Sequence, residues 1–296
     1  MKIISAIPIL GVILITTAFA SQRDTTLNLY GVSTKIDTSH NGSLGAGIGI
    51  DGEALKARLE STSDFTNVAA LYKYSPVDKY YIKFGASYIN QKVYAPDGTN
   101  AKANQYSAAL SFGKMLNEHI YAEIGGSKTK LLGKSIGANY EVKKETASLV
   151  YTELAARVGD LDLSVNGGKV FYDYKKKDRY SYGFGADYYL GNSKLGYYYN
   201  NVKDNITSSY SLEYGYLYIN YIDNFSTHTY RANVGFRIAF DDITNLSTYK
   251  MPNNKKRALS ELHKMEYIVF DSSIKYTTVS TVPVATVPPG NNPPLN

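Results

Sequence analysis

Four histidines and no cysteine limit the chemistry that this 296-residue chain could perform. Without a thiol there is no cysteine nucleophile, no thiolate metal site and no disulfide framework. His40, His119, His228 and His263 are scattered and form no ligand cluster, so the chain reads as carrying neither metal nor cofactor. His228 follows Ser226 and Thr227. That spacing would suit the nucleophile–base pair of a lipid hydrolase, but a polar residue at a strand end explains it equally, and the chain is read as a non-enzyme. Gly45-Ala46-Gly47-Ile48-Gly49-Ile50 has glycines spaced as in a dinucleotide loop, yet no helix pattern follows it, so it reads as a strand.

The remaining chemistry is charge. Lys+Arg number 32 against Asp+Glu 26, giving +6, and no basic run exceeds the three residues of Lys175-Lys176-Lys177, which lie in a polar connection. This balance does not call for nucleic acid. The lysine run could meet lipopolysaccharide phosphates, and plain solvation accounts for it as well.

Most charged residues sit in segments of period two, which sends alternate side chains to opposite faces of a strand. Tyr80, Ile82, Phe84, Ala86 and Tyr88 alternate with Tyr81, Lys83, Gly85 and Ser87. Tyr230, Ala232, Val234, Phe236, Ile238 and Phe240 alternate with Arg231, Asn233, Gly235 and Arg237. Such strands run to about nine to fourteen residues, matching the roughly 9–11 that a tilted strand needs to cross a bilayer. Connections alternate between tight turns such as Asp51-Gly52, Gly159-Asp160 and Gly191-Asn192 and longer polar stretches such as Ala95 to Ala101 and Leu131 to Val142.

The apolar face must either fill a dry core or meet lipid. Tyr occurs 29 times and Trp never. Tyrosines repeated on the apolar face suit a membrane interface, and a Gly/Ser-rich opposite face leaves room inside a closed cylinder. Closure also removes the strand edge whose unpaired amides hydrocarbon would penalise. The fold class expected is all-β: a transmembrane antiparallel up-and-down β-barrel with a C-terminal non-barrel tail.

Two motifs address this barrel. Lys2, the apolar run Ile3 to Phe19 and Ala18-Phe19-Ala20 before Ser21 have the form of a signal peptide over residues 1–20. Asn233-Val-Gly235-Phe236-Arg-Ile238-Ala-Phe240 resembles the C-terminal β-signal of Gram-negative outer-membrane β-barrel proteins. The resemblance is porin-like and at the level of architecture, over residues 21–240. It implies that Asn233, Gly235, Ile238 and Phe240 form the insertion signal read by the barrel assembly machinery, and that the protein lies in the bacterial outer membrane among lipids and lipopolysaccharide. The pattern departs from the family in that residues 241–296 follow the signal.

About thirteen strand-like segments can be counted, whereas single-chain bacterial barrels take even numbers. Twelve strands are expected, with the early segment Leu27 to Ile36 left outside. Fourteen is the alternative, with Glu266 to Thr278 as a closing strand. Residues 241–296 are expected to be a solvated periplasmic tail, with a short helix over Asn254 to Met265, a Pro-rich end and a conceivable peptidoglycan contact.

Strand phase places Lys56, Arg58, Lys83, Arg157, Arg231 and Arg237 on the inner face with Glu123, Asp187 and Glu213. Lys73, Arg179, Glu60, Glu153 and Asp162 share that phase. Opposed charges around a lumen set a transverse field, or else pair off and plug it. The function expected is a porin-like channel for passive diffusion of small hydrophilic solutes or ions. A non-transporting barrel acting in surface structure, adhesion or envelope anchoring and a barrel lipid hydrolase are the alternatives.

Overall fold

The computed structural model describes residues 25–35, 42–77, 79–172, 178–191, 193–202, 205–226, 228–239, 263–271 and 279–281. The segment read as a signal peptide, His40, Lys175–Lys177 and Phe240 lie outside the described residues.

Seven strands run from the start of the barrel: β1 (Thr26–Lys35), β2 (Ser43–Asp51), β3 (Leu55–Thr62), β4 (Phe65–Val77), β5 (Tyr80–Tyr94), β6 (Asn100–Met115) and β7 (Ile120–Leu131). A hairpin of two short strands follows, β8 (Lys134–Ile136) and β9 (Tyr140–Val142). The barrel resumes with β10 (Glu145–Val158), β11 (Leu161–Tyr172), β12 (Arg179–Leu190), β13 (Ser193–Val202), β14 (Asn205–Tyr214), β15 (Leu217–Asn224) and β16 (Thr229–Ala239). Each of these strands is antiparallel to its neighbours, and β1 closes the ring against β16.

The ring has fourteen strands, not the preferred twelve. The reason lies in β1, the segment set aside from the sequence. Tyr30 pairs with Gly235 of β16 on one side and with Gly47 of β2 on the other. Without this strand both neighbours would present bare edges to lipid. Nor does Glu266 to Thr278 supply the last strand, because residues 266–271 form helical turns and residues 272–278 lie outside the described residues.

The two rims differ. One carries only tight connections, including those between Val158 and Leu161, Leu190 and Ser193, and Tyr214 and Leu217. Gly159, Gly191 and Gly215 there hold φ of 61°, 56° and 54°, the left-handed backbone that tight hairpin turns need. The opposite rim carries the longer loops. Its Leu131 to Glu145 connection is more ordered than its polar composition suggests, since Ile136 and Val142 pack into an apolar cluster with Phe65, Ile89 and Leu131. A third short strand, β17 (Val279–Thr281), pairs with β9 to complete a small sheet at this rim.

The tail expected to be solvated is in part an interior element. Helix α1 (His263–Glu266) and the π-turn Tyr267–Asp271 lie inside the cylinder, with Met265, Ile268, Val269 and Phe270 buried. The expected helix over Asn254 to Met265 coincides with α1 only at its end, and residues 254–262 lie outside the described residues.

Candidate functional site

Around the inner wall, charged side chains meet in four groups. Lys83 (β5) lies 2.7 Å from Glu123 (β7), which also accepts hydrogen bonds from the hydroxyls of Tyr121 (2.5 Å) and Tyr151 (2.7 Å). Arg157 donates to both oxygens of Asp162 across the β10–β11 pair, from Nε and Nη2 at 2.6 Å each. Lys194 stands 3.5 Å from Asp187 and 3.8 Å from Glu213, and Glu213 accepts a bond from Arg237. In the fourth group Glu60, fully buried, accepts from Arg231 (3.1 Å), Asn233 (2.7 Å), Asn67 (3.3 Å) and Tyr30 (3.3 Å), with Arg58 Nε at 3.8 Å. A carboxylate so buried persists only because cations and donors surround it.

The interior segment 263–271 docks on these groups. Asp271 bridges Arg58 (3.0 Å) and Arg231 (2.5 Å), while the Phe270 carbonyl accepts from Asn67 (3.2 Å) and Arg231 (3.1 Å). Glu266 pairs with Lys56. Lys264 reaches Ser181 Oγ at 2.9 Å and Asn200 Oδ1 at 2.7 Å, and its backbone N–H donates to Glu153 at 3.3 Å. His263 stacks on Tyr198, ring centres 5.4 Å apart, and approaches Asp187 at 3.5 Å. The Tyr267 hydroxyl donates to Thr207 Oγ1 at 3.5 Å.

Apolar contacts complete the fit. Met265, Ile268, Val269 and Phe270 share one cluster with Ala69, Leu71, Ala109 and Tyr151 of the wall. Glycines make the room: a β-carbon on Gly85 would lie 2.3 Å from Val269 Cγ2, and one on Gly185 2.3 Å from His263 Cδ2. Among the described residues, one polar cavity lies beside the segment. Set between the segment and β1, β3, β13 and β14, and bordered by Arg58, Lys194, Glu213 and Asp271, it leaves about 100 Å³ for the centres of water molecules. That is room for several waters.

The outer wall has the opposite character. On β16, Val234 and Phe236 are 53% and 64% exposed, whereas Asn233, just before them, is fully buried. Leu110 and Phe112 on β6, and Leu163 and Val165 on β11, are likewise exposed around the ring. A closed wall that is apolar outside and charged inside suits lipid as its surroundings, since water would leave that whole band unsatisfied. The chain is a transmembrane β-barrel of outer-membrane architecture.

No family model matches the chain, and no curated protein matches it. Among solved structures it is similar to outer membrane phospholipase A from Escherichia coli, at 11% identity over 72% of this chain and 91% of that one, with a TM-score of 0.43. The KdgM porin is 14% identical over 73% of this chain and 99% of its own, TM-score 0.41. The Pseudomonas putida toluene transporter TodX is 7% identical over 75% and 90%, TM-score 0.44.

In this barrel the residues expected on the inner face are all on the inner wall. Lys56, Lys83, Glu123, Asp187, Glu213, Arg231 and Arg237 are buried, and Arg58 and Arg157 are half-buried. Apart from Lys56, which stands 3.5 Å from Asp51 and pairs with Glu266, they form four separate groups, not a single ring. Of the motif read as an insertion signal, Asn233 and Gly235 face inward on β16 and Ile238 outward. His228 occupies an exposed turn between β15 and β16 with φ of 52°, and the Ser226 hydroxyl accepts the Ile206 N–H at 2.9 Å. Sequence reading missed Lys264, Glu266 and Asp271, which complete the wall groups from the tail. The signal was present as the apolar run Met265 and Tyr267 to Phe270 between charges, within a stretch otherwise polar.

Proposed function

We propose that the protein is an outer-membrane channel for small hydrophilic solutes or ions, held closed by residues 263–271. The observation that carries this reading is how the segment is held. Its grip on the wall combines ion pairs to Arg58, Arg231 and Lys56 with a modest apolar cluster, and all of these groups would be hydrated in a water-filled lumen. Solutes would then pass charged groups on opposite walls, Arg58 and Arg231 on β3 and β16 facing Glu123 and Glu153 on β7 and β10, a field that orders polar solutes. The outward apolar band is covered by outer-membrane lipid, and the Asn233 to Phe240 motif serves insertion by the assembly machinery.

The test is conductance of the folded, full-length protein in planar bilayers. Wild type is expected to conduct rarely, and Val269→Asp, which places a charge in the apolar cluster, is expected to raise the open fraction at least tenfold. A folded Val269→Asp barrel that never conducts would overturn the channel reading. It would favour the second one, a non-transporting barrel, which the dense wall-to-wall pairing of charges supports. The hydrolase reading has no such support, since His228 stands in an exposed turn.

A further inference from the structure

The chain leaves the barrel at one rim and reappears at the other. Ala239, the last residue of β16, pairs with Thr26, which also pairs with Asp51 beside the tight turn to β3; this fixes Ala239 at the tight-turn rim. Val279 to Thr281 pair with Val142 to Tyr140 of β9. That hairpin springs from Leu131 and Glu145, which pair with each other at the long-loop rim. The stretch described between these points, His263–Asp271, lies inside the cylinder.

Its direction is consistent. His263 starts beside Gly185 and Asp187, near the tight-turn end of β12, and Asp271 finishes on Arg231, near the long-loop end of β16. A closed barrel offers two routes from rim to rim, through the lumen or across the lipid-facing wall. The second would set polar backbone in hydrocarbon, where each unsatisfied amide costs several kcal/mol. The first is the one that residues 263–271 occupy.

We propose that the tail threads its own barrel from end to end, so that the residues after Thr281 are displayed at the long-loop rim. Outer-membrane barrels carry tight turns on the periplasmic side and long loops outside. The displayed segment is therefore on the cell surface, on the side of the membrane away from peptidoglycan. This placement does not depend on conduction, since a permanently closed barrel would display the segment equally well.

The absence of cysteine makes the test direct. Single variants Thr286→Cys and Asn291→Cys are expressed in the full chain beside two references, Asp97→Cys in a long-loop connection and Asp160→Cys in a tight turn. Intact cells are treated with a membrane-impermeant maleimide, and folding is verified by heat-modifiable migration on gels. Thr286→Cys and Asn291→Cys are expected to label as fast as Asp97→Cys, with Asp160→Cys labelling only after the outer membrane is permeabilised. Labelling of the tail positions only after permeabilisation, together with Asp160→Cys, would overturn threading. Labelling of Asp160→Cys but not Asp97→Cys in intact cells would overturn the surface placement.

Discussion

Val269 lies over Gly85, so close that a β-carbon on the glycine would meet Val269 Cγ2 at 2.3 Å. Gly85 thus serves less the strand than the segment it admits. Gly85→Leu fills that space with a side chain the neighbouring Leu71 and Val269 cannot both accommodate, and overpacking of this kind costs about 1–3 kcal/mol. The cost falls on the weaker partner, the interior segment, while the β5 ladder stays intact. Limited proteolysis of the detergent-folded protein is expected to cleave Gly85→Leu between residues 263 and 271 faster than wild type, with unchanged heat-modifiability.

Lys264 is the segment's polar anchor. Its ammonium is buried against Ser181 and Asn200, close to Glu153. Lys264→Met keeps the aliphatic length and removes the charge-assisted bonds, each worth about 1.5–3 kcal/mol where a charged group is involved. It also leaves Glu153 beside Glu123 with Lys83 as the nearby cation. The variant is expected to release the segment, read as a rise in open probability in bilayers, while Lys264→Arg retains most of the closure.

Strand phase made the wall legible because alternation is a local property. Lys83 and Phe84 point opposite ways whatever the rest of the chain does, so the inner face could be written down in advance. Ring size was not local. Whether Thr26–Lys35 belongs depends on Gly47 and Gly235 receiving it from both sides, and the pairing of Tyr30 with Gly235 spans the whole barrel sequence. The tail was misread for a related reason. Residues 263–271 carry a short apolar run, Met265 and Tyr267 to Phe270, but become an interior element only where Gly85 and Gly185 leave space and Arg58 and Arg231 await a carboxylate, a coincidence that no single window of sequence contains.

That carboxylate balances a local charge. Arg58 and Arg231 face Glu60 and Asp271, two cations against two anions, and all four are in direct or near contact. Asp271→Asn leaves one positive charge in excess at the lumen. Combined with Gly85→Leu to open the path, it is expected to move the reversal potential in a tenfold KCl gradient toward that of chloride, relative to Gly85→Leu alone. Adding Arg58→Gln to the pair should cancel the shift.

The long-loop hairpin depends on two side chains that look out of place in a polar loop. Ile136 is fully buried and Val142 nearly so, against Phe65, Ile89 and Leu131. Truncating a fully buried isoleucine to alanine costs about 2–5 kcal/mol, part of it from the cavity left behind. Here the loss falls on a three-stranded sheet of three-residue strands, which has few other apolar contacts, and the barrel ladders do not share it. Ile136→Ala is therefore expected to leave heat-modifiable migration unchanged and to make residues 132–144 cleavable by protease added to intact cells. Because β17 pairs, among the described residues, through β9 alone, the same variant is expected to loosen Val279–Thr281, seen as faster amide hydrogen exchange over those residues. Wild-type exchange rates at Val279–Thr281 in Ile136→Ala would mean that the tail is held at this rim by something other than the hairpin.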